Sequence, residues 1–382
     1  MDKPNKKRIG TITFHSSYNY GSALQAYALQ EYILKEYGTI FDYDVINFRT
    51  KRQKDLYDKP FGFYDYKSII RKVYYFRYKK LLLRKRTNFE NFFKNYLNIT
   101  DEYSTEDELA KAPLSYDYYI SGSDQIWNYS ILDFDWSFFL EFCNNGKKIS
   151  YAASLGPSRL DISKDIKNRI KKDLAQYSKI SVRETRSLEI IEKITERNDI
   201  CINIDPTLLL KKATWEKLAG DRLIDDNYIF LYDLKSNKEA YAIADFLSRK
   251  YNMPVVVVKN KISMDKKCKN IIRKYDAGPI EFLNYIRNAK IIVSSSFHGN
   301  VFSIIFERPF LAIGGKQDAR TGNLLSITGL LDRSVDNIEN INALKKLFKV
   351  NFAEAKQAIA KEQKNTEAYF NDALDIERMK NE

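Results

Sequence analysis

The sequence predicts an α/β protein made of two Rossmann-like, doubly wound domains that face each other across a cleft. Two observations support this fold class. The chain has 382 residues, which exceeds one ordinary core and suits two domains of roughly 150 to 200 residues. Short apolar runs rich in β-branched residues also alternate with stretches of helical periodicity in both halves, as in parallel sheets covered by helices.

The first half, predicted as a domain over 1–205, alternates strands and helices in order. The predicted strands are 8–14, 45–48, 116–120, 148–152, 179–182 and 202–205. The predicted helices are 23–37, 67–86, 87–96, 163–177 and one that begins near Thr185. Pro206 ends this half because proline cannot continue a central strand.

The second half, predicted as a domain over 206–341, repeats the alternation. Its predicted strands are 228–232, 255–258, 291–293 and 310–313, and its predicted helices are 238–250, 280–287, 301–306 and 322–328. The last segment, 342–382, is charged and helical in pattern, and we expect it to pack back across the first domain.

Several protein classes are disfavoured by composition. No run approaches the roughly 20 apolar residues of a membrane span, and the polar start MDKPNKKRIG is unlike a secretion signal. We therefore expect a cytosolic protein. The cysteines Cys143, Cys201 and Cys268 are far apart, which favours reduced thiols over disulfides or a zinc site. With only two histidines and no GxGxxG motif, neither a metal nor another cofactor is expected.

The net charge of +13 is concentrated in one stretch. Residues 67–86 contain nine Lys or Arg and no acid, which leaves +4 for the rest of the chain. Such a patch favours docking onto one anionic surface, for example the inner face of an anionic membrane, over a nucleic-acid groove along the whole protein. The alternative is an ordinary amphipathic helix with a solvated basic face.

The stretch 291–310, IIVSSSFHGNVFSIIFERPF, is the strongest candidate site. It predicts a strand, a tight turn and a helix whose first N–H groups and dipole can hold a phosphate or carboxylate. Ser296 and Gly299 are small enough to let an anion approach, and His298 lies where the turn meets the helix. The alternative is that His298 only caps the helix or bonds a carbonyl.

A second loop of this kind follows the first strand. Asn19, Gly21 and Gln25 lie in or just after HSSYNYGS, at the start of the helix 23–37, where backbone N–H groups point at a ligand. A plain βα turn would give the same pattern.

The loop SGSDQIWN at 121–128 has the composition of a sugar-binding loop. Asp124 can hold hydroxyl groups while Trp127 offers an apolar face, although a buried Trp that anchors the loop is an equal alternative.

Cationic residues follow two further strands. Arg183 stands at the carboxyl end of a predicted strand, where ligands of open α/β sheets bind. Its alternative is a surface ion pair with Glu184. Lys316 and Arg320 bracket the loop after strand 310–313.

Five motifs in order resemble the polysaccharide pyruvyl transferase family. They are NYGSALQAYAL at 19–29, SGSDQIWN at 121–128, SVRE at 181–184, DPTLLL at 205–210 and SFHGNVFSIIFERPF at 296–310. The resemblance spans residues 10 to about 333. It implies a GT-B-like fold, no metal, and transfer of the enolpyruvyl unit of phosphoenolpyruvate onto a sugar of a surface polysaccharide precursor, as a pyruvate ketal with release of phosphate. The acceptor would be lipid-linked or an oligosaccharide.

The resemblance assigns the family's histidine to His298 and its VRE arginine to Arg183, both in contact with the phosphate or carboxylate of phosphoenolpyruvate. Many members have an arginine where this chain has Ser296, and Lys316 or Arg320 is our candidate replacement. Asp124 is a candidate base or hydroxyl anchor on the acceptor side.

Two other classes of function fit part of this pattern. A GT-B glycosyltransferase that uses a nucleotide sugar would share the architecture and the basic cleft. A non-enzymatic protein that binds anions or nucleic acid would explain the charge, but not two facing anion sites.

Overall fold

The structure is a computed structural model that describes residues 6–57, 69–156, 162–234, 237–258, 268, 270–336 and 346–381. Of the predicted elements, 67–68, 342–345 and 382 lie outside the described residues.

The first half forms one parallel sheet. Its strands are β1 (Lys7–Ile12), β2 (Phe41–Val45), β3 (Tyr118–Asp124), β4 (Lys147–Ala153), β5 (Tyr177–Lys179), β6 (Ser181–Val182) and β7 (Cys201–Ile202). Their order is β2-β1-β3-β4-β6-β7, with β5 beside β4. Its helices are α1 (Tyr20–Tyr37), α2 (Lys51–Tyr57), α3 (Ile69–Tyr96), α4 (Glu106–Lys111), α5 (Lys164–Leu174) and α6 (Thr185–Thr195). The next helix, α7 (Lys212–Ala219), opens the second half.

The second half forms another parallel sheet. Its strands are β8 (Ile229–Tyr232), β9 (Val255–Val258), β10 (Ile271–Lys274), β11 (Ile291–Ser294), β12 (Phe310–Ile313) and β13 (Ser334–Val335), in the order β10-β9-β8-β11-β12-β13. Its helices are α8 (Lys238–Tyr251), α9 (Pro279–Asn288), α10 (Phe297–Ile305) and α11 (Ala319–Ile327). Central strands such as β9, VVVV, are fully buried, because helices cover parallel sheets on both faces.

One hydrophobic cluster joins the two halves. Tyr20, the first residue of α1, stacks on Phe282 of α9 with ring centroids 4.8 Å apart and planes 7° apart. The Tyr20 hydroxyl donates to the Ala277 carbonyl over 3.1 Å. The sheets are therefore joined by packing as well as by the chain itself.

The last helices, α12 (Phe352–Ala373) and α13 (Ile376–Asn381), pack on the first half. Phe370 stacks on Tyr151 of β4 with ring centroids 4.7 Å apart, and the Tyr369 hydroxyl donates to the Ser150 carbonyl over 2.5 Å. No helix within the described ranges is long and apolar enough to cross a membrane.

Several elements differ from the sequence prediction, among them the short helices α2, α4 and α7, which were not predicted. Strand β2 lies at Phe41–Val45, before the predicted 45–48. One helix, α3, replaces the two predicted at 67–86 and 87–96. The edge strands β10 and β13 were not predicted.

Candidate active site

Four charged or titratable side chains meet where the strands of both sheets end. Asp124 is the last residue of β3, Arg183 directly follows β6, and Asp205 caps a 3₁₀ helix that follows β7. His298 is the second residue of α10, which begins shortly after β11. Because carboxyl ends of parallel strands share one edge of a sheet, residues distant in sequence are brought together there.

Asp205 lies between the two anion-binding residues predicted from sequence. Its Oδ2 is 3.2 Å from Nη2 of Arg183 and 3.4 Å from Nε2 of His298. All three side chains are buried. The first half supplies Arg183 and the second supplies His298, so a carboxylate of the protein itself links the two halves at this point.

The position of Asp205 is fixed from its other oxygen. Oδ1 accepts hydrogen bonds from the backbone N–H of Thr207 over 3.0 Å and from the Thr207 hydroxyl over 2.5 Å. Burial opposes ionisation of this carboxyl, but Arg183 and His298 outweigh it and hold the pKa of Asp205 well below its usual range. Asp205 is therefore a fixed negative charge.

Asp124 belongs to the same cluster. Its Oδ1 is 3.7 Å from Nη1 of Arg183, and its Oδ2 accepts from the Ser22 hydroxyl over 2.5 Å. A backbone φ of 77°, which aspartate tolerates better than most residues, sets this direction. Burial opposes ionisation, but Arg183 and His298 prevail and lower the pKa of Asp124. A lowered pKa makes Asp124 a weak base and suits it to anchoring hydroxyl groups.

Arg320 also reaches this region, whereas Lys316 does not join it. The guanidinium carbons of Arg183 and Arg320 lie 5.2 and 5.8 Å from the centroid of the Phe297 ring. The Arg320 side chain is largely buried and holds Asp318 through two hydrogen bonds of 3.2 and 2.8 Å. Lys316 is exposed on the loop before it. Of the two predicted replacements for a cation at Ser296, the structure favours Arg320.

Two helices begin at the cluster. At the start of α1, the Asn19 side chain accepts from the N–H of Gly21 over 3.0 Å. Gly21 in turn lies so close to the His298 ring that a Cβ there would be 2.0 Å from Nδ1. Both N-termini carry the positive end of a helix dipole, which favours an anion nearby.

Small residues let α10 lie directly against its own strand. A Cβ at Gly299 would be 2.2 Å from Oγ of Ser294. Ser296 is buried, and its N–H donates to that same Oγ over 3.1 Å. Ser296 and Gly299 therefore help to fix the position of His298, because they let the start of α10 pack closely against Ser294.

Two predicted ligand contacts are corrected by burial. Trp127 has no exposed surface, its indole N–H donates to Ser121 over 3.0 Å, and its ring stacks on Phe139. It anchors the loop and offers no face to a sugar. Gln25 is also fully buried, and its amide donates to the Thr13 hydroxyl and the Ser22 carbonyl. It therefore supports the loop from inside.

Glu184 and Asp205 are the charged residues that the sequence did not single out. Glu184 is buried and accepts from the hydroxyls of Ser154, over 2.9 Å, and Ser187. The alternative of a surface pair between Arg183 and Glu184 is therefore wrong. Burial raises the pKa of Glu184. An Asp before Pro after a short strand signals a helix cap, which could have drawn attention to Asp205.

The cluster has unused hydrogen-bonding capacity. Among the described residues, Nε and Nη1 of Arg183, Nε2 of His298 and Oδ2 of Asp205 are buried without a hydrogen-bond partner. Their mutual contacts are the ion pairs of Asp205 with Arg183 and with His298. Buried donors of this kind are costly unless a ligand satisfies them. No group of three His, Cys, Asp or Glu side chains in the described ranges could hold a metal ion.

Comparison with solved structures gives the fold. The putative UDP-N-acetylglucosamine 2-epimerase of Listeria monocytogenes is 10% identical, with a TM-score of 0.54 over 93% of this chain and 90% of that one. MnaA of S. aureus, in a co-structure with UDP, is 12% identical, with a TM-score of 0.54 over 97% of both chains. The Neisseria meningitidis UDP-GlcNAc 2-epimerase bound to UDP-GlcNAc is 10% identical, with a TM-score of 0.51 over 94% of this chain and 98% of that one. The predicted GT-B-like fold is confirmed.

The family follows from a sequence model described as polysaccharide pyruvyl transferase, which matches residues 19–317. The chain belongs to the polysaccharide pyruvyl transferase family. The match includes Asn19, Arg183, Asp205 and His298. No curated protein matches the chain. Membership makes this protein a transferase that acts on polysaccharide.

Proposed function

We propose that this polysaccharide pyruvyl transferase moves the enolpyruvyl unit of phosphoenolpyruvate onto a sugar of a capsular or other surface polysaccharide precursor. The product is a pyruvate ketal that bridges two hydroxyls, and phosphate is released. The acceptor is a lipid-linked or free oligosaccharide.

One observation carries the choice of donor. Arg183 and His298 converge from the two halves, and both keep buried nitrogen atoms without hydrogen bonds. A phosphate or carboxylate has the oxygens to satisfy them. Nη2 of Arg183 already donates to the Ser123 hydroxyl over 2.6 Å, so Nε and Nη1 are the donors left for such a group, each through a charge-assisted hydrogen bond. The N-termini of α1 and α10 add favourable dipoles on the same side.

The reaction needs one proton gain and two hydroxyl additions. Carbon 3 of the enol gains a proton, and carbon 2 becomes electron-poor and takes the oxygen of one sugar hydroxyl, which loses its proton. The bond from carbon 2 to the phosphate oxygen then breaks with its electron pair. A neighbouring hydroxyl then adds to carbon 2 and closes the ketal, and the released phosphate takes the proton that this hydroxyl loses.

The site residues have distinct parts in these steps. His298 and Arg183 stabilise the negative charge that builds on the leaving phosphate, as preorganised donors do. Asp124, held ionised, orients an acceptor hydroxyl and is too weak a base to be the main proton acceptor. Arg320, near the same Phe297 ring, supplies positive charge on the side where Ser296 has none.

The decisive experiment is incubation of the whole protein with phosphoenolpyruvate and a lipid-linked oligosaccharide, with phosphate release as the readout. His298→Asn is expected to lower the rate at least about 100-fold and to leave the melting temperature within a few degrees. Arg183→Lys keeps the charge but loses the planar fork, so weaker binding of phosphoenolpyruvate is expected.

Two results would contradict the proposal. If His298→Asn unfolds the protein but its folded fraction stays active, His298 is structural. If nucleotide sugars raise the melting temperature while phosphoenolpyruvate does not, the protein is a GT-B glycosyltransferase.

A further inference from the structure

The outward face of α3 combines exposed apolar and cationic side chains. Phe76 is 75% exposed and Leu83 is 46% exposed. Leu83 follows Phe76 by seven positions, so the two side chains lie on one side of the helix, two turns apart. Exposed cations surround them, namely Arg77, Lys79, Lys80, Arg84 and Arg86.

This surface has no nearby acid on its own helix until Glu90. Arg84 reaches Asp276 of the second half over 3.3 Å, which fixes α3 against that half. The other face is buried, since Leu82, Phe89 and Phe92 belong to the protein interior. The inward face of α3 therefore packs in the protein interior. Its outward face is cationic and exposes two apolar side chains, Phe76 and Leu83.

We propose that this face of α3 docks the protein onto an anionic lipid bilayer. Lysine and arginine bind the headgroup phosphates, while Phe76 and Leu83 enter the boundary between headgroups and acyl chains. A nucleic acid would match the cations equally well but would gain nothing from an exposed leucine. The helix would lie on the membrane and not cross it, because charged residues occur all along its sequence.

The location of the surface fits an acceptor that is attached to lipid. On the opposite side of α3, Lys85 lies over the Tyr20 ring, 4.8 Å from its centroid, and Phe89 lies beside it. The next residue of α1, Gly21, contacts His298. One helix therefore separates the proposed docking surface from the candidate active site. Docking itself does not depend on the proposed donor and can be measured without substrate.

The test is co-sedimentation of the whole protein with vesicles of phosphatidylcholine alone or mixed with phosphatidylglycerol. We expect binding only to the anionic vesicles, and weaker binding as salt rises through the screening range. Each cation near such a surface is worth about fivefold in binding, about 1 kcal/mol. The triple variant Arg77→Gln, Lys79→Gln, Lys80→Gln should therefore lose at least about tenfold.

A matched control removes the same charge elsewhere. Lys164→Gln, Lys167→Gln, Lys172→Gln alters exposed lysines of α5 and should leave vesicle binding unchanged. Phe76→Ser, Leu83→Ser keeps the charge and should weaken binding severalfold at high salt, where the apolar contribution dominates.

Three results would overturn the proposal. They are failure to bind anionic vesicles at low salt, equal loss of binding in the α5 control, and equal affinity for a DNA duplex that is lost with the same three α3 substitutions. The last would identify a nucleic-acid surface. Thermal melts of each variant establish that the protein remains folded.

Discussion

Asp205 brings a fixed negative charge into a site that we expect to hold an anion. Its Oδ2 lies 3.2 Å from Arg183 and 3.4 Å from His298, and Thr207 holds its other oxygen. The carboxylate thus has two opposite effects. It orients Arg183 and His298, and it offsets part of the positive charge that would attract phosphoenolpyruvate.

Asp205→Asn should separate these effects. Without the carboxylate, the cluster is more positive by one charge, so phosphoenolpyruvate should bind about tenfold more tightly. Turnover should fall about 10- to 100-fold because His298 is no longer oriented by a charged partner. Titration calorimetry measures the affinity for phosphoenolpyruvate, and steady-state kinetics measure the turnover.

The control for Asp205→Asn is Asp199→Asn, which removes one carboxylate from a surface pair with Arg197 and should change neither quantity. If affinity and turnover instead fall together in Asp205→Asn, with a lower melting temperature, Asp205 is only a structural partner of Arg183.

The sequence indicated some of these residues and not others for physical reasons. His298 and Arg183 follow apolar runs that mark strands, and the end of a parallel strand is where ligands bind. The role of Asp205 depends on the approach of β11 and α10 from another half of the chain, which no local pattern encodes. The residues around Trp127 in the sequence do not indicate whether its ring is buried or exposed. Its burial results from packing on Phe139, which lies outside the loop.

At the scale of elements, strong apolar runs were predicted well and edge strands were not. Strand β12 was predicted at its observed bounds. Strand β2, FDYDV, carries Asp at its second and fourth positions, so the apolar run at 45–48 gives the stronger strand pattern in the sequence. Strand β10, IIRK, lies at an edge and is only partly buried. Its charged residues interrupt the apolar pattern by which a strand is predicted.

The start of α1 offers a test of how closely two helices must approach. Gly21→Ala places a Cβ 2.0 Å from Nδ1 of His298, so the imidazole must move. The backbone at Gly21 is helical, and alanine favours helices by about 1 kcal/mol over glycine. We expect the melting temperature to change little and phosphate release to fall by about 100-fold, the usual cost of misplacing a reacting group by about 1 Å.

Gly322→Ala is the control for this prediction. Gly322 also lies in a helix, α11, but its nearest neighbours are 3.6 Å from the added Cβ, an ordinary contact. Equal activity in the two variants would show that the position of His298 tolerates the shift.

A buried aspartate on α5, outside the candidate active site, should make the stability of the protein depend on pH. Asp173 is buried on α5, and burial together with the neighbouring Glu141 raises the pKa of Asp173 to about 7. In the unfolded chain an aspartate has a pKa of about 3.9, so the folded state binds the extra proton between these values. Stability should therefore fall as pH rises from about 4 to 7 and stay low above that.

Asp173→Asn removes this titration while it keeps the shape of the side chain. The variant should melt about 5 °C above the original protein at pH 8 and by a clearly smaller margin at pH 5, as measured by calorimetry at both values. A constant difference at the two pH values would show that the effect is not due to ionisation.

At the scale of the whole molecule, the two sheets share packed contacts. Tyr20 of the first half stacks on Phe282 of the second, and both lie in the hydrophobic cluster that spans the two sheets. Helix α12 adds a second connection. Its Lys356 pairs with Glu307 of the second half over 3.4 Å, and its Phe370 stacks on Tyr151 of the first.

We therefore expect a single cooperative unfolding transition in scanning calorimetry, although the sequence alone predicts two domains. Phe282→Ala should move the whole transition down without splitting it, because removing a buried phenylalanine costs about 3 to 5 kcal/mol. Saturating phosphoenolpyruvate should move the same transition up, since its proposed ligands Arg183 and His298 come from both halves. Two separate transitions, with the ligand shifting only one of them, would show that the shared core contributes little and that each half binds or unfolds alone.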